Sequence, residues 1–202
     1  MIHELVKLHD QIKSCCLCTD LPDISYPLVQ GSYRARIVLV SQAPSEGATL
    51  VGCLWRNSRS GETFRKEWLC IPDEIFYNED LFYITSLGKC YPGRARGGDR
   101  APNLICARTW LVQELELLRP QLIISIGKKA FNWFFPYEDY DRNLCGETIP
   151  WHETEVFPIP HPSGANNAWK ARNEDRLRVI IKRLRSQVWS ILESRKVNRS
   201  RS

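Results

Sequence analysis

Four short runs of nearly unbroken apolar residues space the chain, at positions 36–41, 81–87, 121–127 and 155–160. Runs of this length, rich in Ile, Val and Phe and lacking a polar alternation, predict strands covered on both faces. Between them the spacing becomes helical. Leu5, Leu8 and Ile12 share one face of a predicted helix over 3–14. Leu104, Ala107, Leu111, Leu115 and Leu118 share one over 103–118, with Asn103 as N-cap and Arg119-Pro120 as its stop. A short helix is predicted at 128–135, and a long one over 173–192 carries Leu177, Ile180, Ile181, Leu184, Val188 and Ile191. Residues 60–69 predict a further helix capped by Ser60, whereas 48–59 read as irregular. The alternation predicts a three-layer α/β/α architecture around a central four-stranded parallel sheet. Residues 1–192 form a single predicted domain, and 193–202 read as a basic, disordered tail.

Composition narrows the class. With 202 residues, 43% of them hydrophobic, the chain can bury a substantial core. No run approaches the ~18 apolar residues of a membrane span, and Met-Ile-His-Glu-Leu does not open a signal peptide. These features predict no membrane role and a cytoplasmic protein of an intracellular, prokaryotic type. Eight cysteines in a reducing compartment predict ligands or core residues in preference to disulfides. Charge is uneven: positions 170–202 hold 11 Lys/Arg against 3 Asp/Glu, and the remainder is slightly acidic. Such a segment is either a solvated helix face or an arm for a polyanion.

The residues that can carry chemistry gather at predicted strand ends. The second strand runs into Lys89-Cys90-Tyr91-Pro92 and then a basic, glycine-rich loop over 93–100, with Arg94, Arg96 and Arg100 ahead of Cys106. Cys15-x-x-Cys18 supplies a further thiol pair at metal-ligand spacing. Cys90 and Cys106 are too far apart to be the second pair of a zinc ribbon. Spacing alone leaves them either as ligands of an iron–sulfur cluster, which accepts wide spacing, or as small buried residues. Cys16, Cys53, Cys70 and Cys145 follow no such pattern and read as packing residues, although Cys16 can replace a neighbour as ligand. The first strand ends in Ser41-Gln42-Ala43-Pro44-Ser45 with Glu46 next, the second at Ser86, the fourth at His161-Pro162-Ser163. Parallel strands bring such ends to one rim, where open α/β sheets bind ligands. Pro160 and Pro162 fix the backbone around His161. Trp55 is either a flat surface for an aromatic ligand or one more core tryptophan.

In combination, the cysteine pattern, the Lys-Cys-x-Pro after a strand, the Pro44 turn and His161-Pro162-Ser163 resemble the iron–sulfur (family 4) uracil-DNA glycosylases of the uracil-DNA glycosylase superfamily. The resemblance spans about residues 12–185. It implies a four-stranded parallel sheet between helices, a [4Fe–4S] cluster on Cys15, Cys18, Cys90 and Cys106, and hydrolysis of the bond joining a damaged base to deoxyribose. Trp55 then stands where the family has a Phe that stacks on the flipped base, with Gly52 also matching and Ala43 and Pro44 beside it. His161 matches the histidine that stabilises negative charge on the departing base. Ser163, Gly164, Asn166 and Asn167 match the loop that pushes into the duplex, and Arg94, Arg96 and Arg100 are expected to face phosphates.

Two positions depart from the family pattern. Gln42 replaces a carboxylate in the first motif, and an amide cannot accept the proton of an attacking water; Glu46 is the nearest carboxylate that can act instead. Ser86 replaces an Asn that reads the uracil edge, offering one hydroxyl in its place. The expected function is a DNA-repair glycosylase that excises a deaminated base, uracil first and hypoxanthine next, acting as a monomer on DNA containing damaged bases. A replication or repair partner is expected through the basic C-terminus. The alternative is an iron–sulfur module with weakened catalysis that binds damaged or single-stranded DNA. A zinc-stapled α/β protein unrelated to DNA is a third reading.

Overall fold

The computed structural model describes residues 2–199, with the backbone alone for 195–199. Its centre is a sheet of five strands. The strands are β1 (Ile37–Ser41), β2 (Phe82–Ser86), β5 (Leu122–Ile126), β6 (Ile149–Trp151) and β7 (Thr154–Ile159), in the order β2-β1-β5-β7-β6. A separate two-residue ribbon, β3 (Arg94–Ala95) against β4 (Gly98–Asp99), stiffens the basic loop. β2, β1, β5 and β7 pair in parallel, as the four apolar runs predict. The fifth strand, β6, was not expected. It pairs antiparallel with β7 through a tight turn at His152, and its Ile-Pro-Trp is too short and mixed to stand out in the sequence.

Every residue of β1, β2 and β5 is buried, and successive side chains enter opposite cores. Ile37, Leu39, Phe82, Ile84, Ile124 and Phe157 meet Phe64, Trp68, Phe76 and the helix residues Ile180, Leu184 and Val188 on one side. Val38, Val40, Tyr83, Ile123 and Val156 meet Leu5, Leu8, Ile12, Leu111, Leu115 and Phe134 on the other. Two filled layers over one sheet explain why the strands carry no polar alternation.

Several local expectations change. Glu46–Val51 is helical, not irregular: Ser45 Oγ accepts the Ala48 N–H, and Gly52 closes the turn at φ +66°. The next helix is capped by Ser58 rather than Ser60, through the Gly61 N–H, and it widens into π-helical winding over Thr63–Leu69. Asn103 caps its helix as expected, accepting the Ile105 N–H; that helix also passes through a π segment, Ala107–Leu111. The C-terminal helix runs over Glu174–Arg199, into the stretch expected as a tail, and residues 200–202 lie outside the described residues. Among the described residues no helix is long and apolar enough to cross a membrane.

Candidate active site and the four-cysteine cavity

Strand order reverses at β1: the chain goes first to β2 on one side, then to β5 on the other. The switch point therefore lies outside the carboxyl ends of β1 and β5, the place where such sheets hold ligands. Gln42 leaves β1 there, Gly127 leaves β5, and His161 follows β7. Gly127 is needed where it is, at φ +84°, because a Cβ would lie 3.2 Å from His161 Cβ.

His161 is held from several directions. The Ser163 backbone N–H donates to its Nδ1 at 3.2 Å, Asn166 Nδ2 donates to its carbonyl at 2.9 Å, and Lys170 Nζ donates to the Pro162 carbonyl at 3.2 Å. Burial, aided by the Lys170 charge, pushes the imidazole pKa down to about 4. A neutral ring whose Nδ1 accepts must carry its proton on Nε2, so the site presents a neutral N–H donor.

The indole of Trp55 stacks on this imidazole with centroids 5.8 Å apart and planes 26° apart. It also lies 5.5 Å from Phe64. Its backbone is in the left-handed region, φ +66°, unusual for a bulky residue. The Trp55 carbonyl accepts from Ser58 Oγ at 3.2 Å and from Arg65 Nη1 at 3.3 Å, and Gly61 approaches so closely that a Cβ would sit 1.9 Å from that oxygen. With an exposure of 8%, Trp55 offers no open flat surface in this state.

The other candidates are placed as follows. Gln42 Nε2 donates to the Arg100 carbonyl at 3.0 Å, which leaves the amide oxygen as an acceptor. Ser86 is buried, and its hydroxyl donates to the Gly88 carbonyl at 2.7 Å, so its proton is already engaged. Glu46 pairs with Arg94 at 3.4 Å. Arg100 pairs with Asp20 at 3.3 Å and donates to the Asp20 carbonyl at 2.7 Å, which ties the basic loop to the chain just past Cys18. Arg96 is exposed, and Ser163, Gly164 and Asn167 surround a short turn beside His161.

Cys15, Cys18, Cys90 and Cys106 line one cavity of about 210 Å³, together with Lys89, Asp20 and Arg100. Burial, together with the neighbouring Cys106, Cys15 and Cys18, pushes the Cys90 thiol up to about 12. Two N–H groups point at sulfur: Trp110 Nε1 toward Cys15 Sγ and Lys89 N toward Cys106 Sγ, each at 3.3 Å. Among the described residues no three His, Cys, Asp or Glu side chains close around a single metal ion. Four convergent thiols around a space this wide suit a multinuclear core better than one ion. Cys16, Cys70 and Cys145, expected as packing residues, are exposed, and Cys53 is half-buried against Gln30 Oε1.

A buried polar chain adjoins this cavity, and the sequence reading missed it. Lys89 Nζ meets Glu114 Oε2 at 2.5 Å and also donates to Thr85 Oγ1. Glu114 accepts from Thr85 Oγ1 at 3.0 Å and from Tyr83 Oη at 2.9 Å, and Tyr83 Oη lies 2.8 Å from His9 Nε2. Glu114 sits between Leu111 and Leu118 on the apolar face of its helix, a placement that marks a buried charge.

Fold and rim define an α/β protein with its candidate site at the switch point of a parallel sheet and a thiol-walled cavity beside it. A family model described as the uracil DNA glycosylase superfamily matches residues 28–185, and the chain belongs to that superfamily. The match begins after Cys15 and Cys18. Two curated relatives are a type-4 uracil-DNA glycosylase of Saccharolobus solfataricus, 24% identical over 144 residues, and a type-5 uracil-DNA glycosylase of Pyrobaculum aerophilum, 24% identical over 148. Each alignment covers 67% of this chain, but only 64% and 65% of the relatives, so the chain spans just under two thirds of their length.

Proposed function

We propose that the protein is an intracellular DNA glycosylase that hydrolyses the N-glycosidic bond of a deaminated base, uracil first and hypoxanthine next, once the nucleotide has swung out of the duplex. The observation that carries this reading is the burial of His161 at the rim with its Nδ1 accepting from the Ser163 N–H, which leaves Nε2 as the donor of a neutral ring. Cleavage leaves positive charge on the sugar and negative charge on the base. A preorganised donor aimed at the developing anion is usually the largest catalytic contribution. Family membership and the names of the two relatives support the same reaction class.

Gln42 cannot act as a base. With its N–H held by Arg100, its carbonyl oxygen can orient a water, and a sugar already carrying positive charge needs water oriented more than deprotonated. Glu46, engaged by Arg94, is the weaker candidate for this role. Cys15, Cys18, Cys90 and Cys106 would hold a [4Fe–4S] cluster, which would cross-link the N-terminal helix to the basic loop. Arg94, Arg96 and the turn at 163–167 would meet the DNA backbone, while Arg100 holds the loop in place.

The engaged hydroxyl of Ser86 and the missing carboxylate at Gln42 favour a second reading, a module that binds damaged DNA and cleaves it poorly. An abasic-site assay on oligonucleotides carrying uracil or hypoxanthine separates the two. Turnover lost in His161→Ala and retained in Cys70→Ala is the result expected of the glycosylase. Tight lesion binding with no cleavage of any base in the panel would establish the module instead. Iron and acid-labile sulfide in an anaerobic preparation are expected, and a colourless protein containing zinc would remove the cluster.

A further inference from the structure

The indole that should receive an everted base is already covered. Trp55 has an exposure of 8%, with Phe64 and His161 both within stacking distance of it. A base stacked on the indole must therefore take the place of one of these rings. Phe64 cannot yield: it has no exposure and is held edge-on by Trp68 at 6.3 Å and by Phe76 at 6.0 Å. His161, at the rim, is the neighbour that can separate from the indole. A base that takes its place against the indole leaves the imidazole at the base edge, where an in-plane N–H can reach a carbonyl oxygen; with the two rings 5.8 Å apart and stacked, that place is filled.

We infer that Trp55 is a gate over His161 as well as a platform: in the DNA-free protein its indole lies closed against the imidazole, and a base enters only by parting the two rings. This rests on the glycosylase reading for the identity of the ligand, though not for the closed state itself. The movement is confined to the side chain. The Trp55 carbonyl is clamped by Ser58, Arg65 and the approach of Gly61. The His161 backbone is fixed by Asn166 and by Gly127 behind its Cβ. A bulky residue held at φ +66° by such a clamp is backbone strain of the kind that persists where the surroundings over-determine it. The consequence is selection by stacking. A base that replaces the indole–imidazole contact with a good stack opens the slot, whereas small solutes and water do not. Among the described residues Lys170 is the charged group that acts on His161, so opening exposes the imidazole to water with that cation still nearby.

Two measurements test the gate. In the DNA-free protein, nitrogen NMR of His161 is expected to show a neutral ring with its proton on Nε2 down to about pH 5 in wild type and Trp55→Phe. Trp55→Leu and Trp55→Ala should titrate nearer the ordinary value of about 6.5; Leu fills much of the space, so a folded variant without the ring is available. An unchanged His161 titration in folded Trp55→Leu would overturn the closed gate, whatever the enzyme's activity. In 5-fluorotryptophan protein, the Trp55 resonance, assigned by its loss in Trp55→Phe, is expected to shift with a duplex carrying 2′-fluoro-deoxyuridine opposite guanine. An undamaged duplex should leave it in place. A resonance that stays put while anisotropy reports lesion binding would overturn displacement by the base. Absence of any lesion-specific binding would instead contradict the glycosylase reading and leave the NMR titration to decide the gate.

Discussion

At the scale of single residues the proposed chemistry depends on the state of His161. Its pKa of about 4 lies below the ordinary value of about 6.5, so between those limits the unfolded chain binds a proton that the folded one refuses. Stability should therefore fall as pH drops from about 6.5 toward 4, by about 2–3 kcal/mol, and His161 should contribute no slope above that window. Urea midpoints measured across pH 4–8 for wild type and His161→Gln check this: the variant should lose most of that slope. Cleavage that uses the neutral ring, as proposed, should stay flat from pH 8 to about 5 and decline only below that. An acid limb near pH 6.5 would mean that the imidazole is not desolvated. His161 and Gln42 could be picked as candidates from the sequence because prolines and strand ends mark them, and Trp55 only through the family resemblance. Their engagement was not legible. That Ser86 gives its proton to Gly88, that Arg100 faces Asp20 and that Trp55 is covered by His161 depend on rotamers no pattern encodes.

At the scale of elements, the junction of β2 with the helix at Val112–Leu118 rests on the ion pair between Lys89 and Glu114. Both are buried to about 1% exposure of their side chains. Removing one partner strands a buried charge, so Glu114→Leu alone should cost about 3–5 kcal/mol. Lys89→Met with Glu114→Leu should recover most of that loss in a chemical denaturation series, since an apolar pair of similar volume needs no desolvation. A double variant no better than the single would mean that Tyr83 and Thr85, left without Glu114, dominate the cost. The strands were legible because burial on both faces leaves an unbroken apolar run. The helix at Glu46–Val51 was not, because its stability comes from the Ser45 cap and Gly52 rather than from any apolar periodicity. The π segments at Thr63–Leu69 and Ala107–Leu111 are likewise invisible to a search at ordinary helical spacing.

At the scale of the whole molecule, charge is less available than composition suggests. Arg176 donates to the carbonyls of Leu144 and Asp141, Arg178 pairs with Glu174, Arg183 with Glu147, and Arg185 donates to the carbonyls of Trp68 and Glu67. Much of the basic helix thus serves to hold itself against its neighbours. Arg94 and Arg96, exposed on the stiffened loop, are better placed for phosphates. Arg94→Ala with Arg96→Ala should weaken binding to all duplexes alike and reduce the slope of log K against log salt by about 2. Arg183→Ala should leave that slope unchanged. Fluorescence anisotropy over a salt series reads both.

The most direct test of the central claim is single-turnover release of uracil from a duplex with one uracil opposite guanine, at saturating protein. The account predicts that wild type releases the base and leaves an abasic site. It also predicts that His161→Ala binds the duplex with similar affinity but cleaves at least about 100-fold more slowly, as loss of one oriented donor should require. Equal cleavage rates in the two proteins would contradict it.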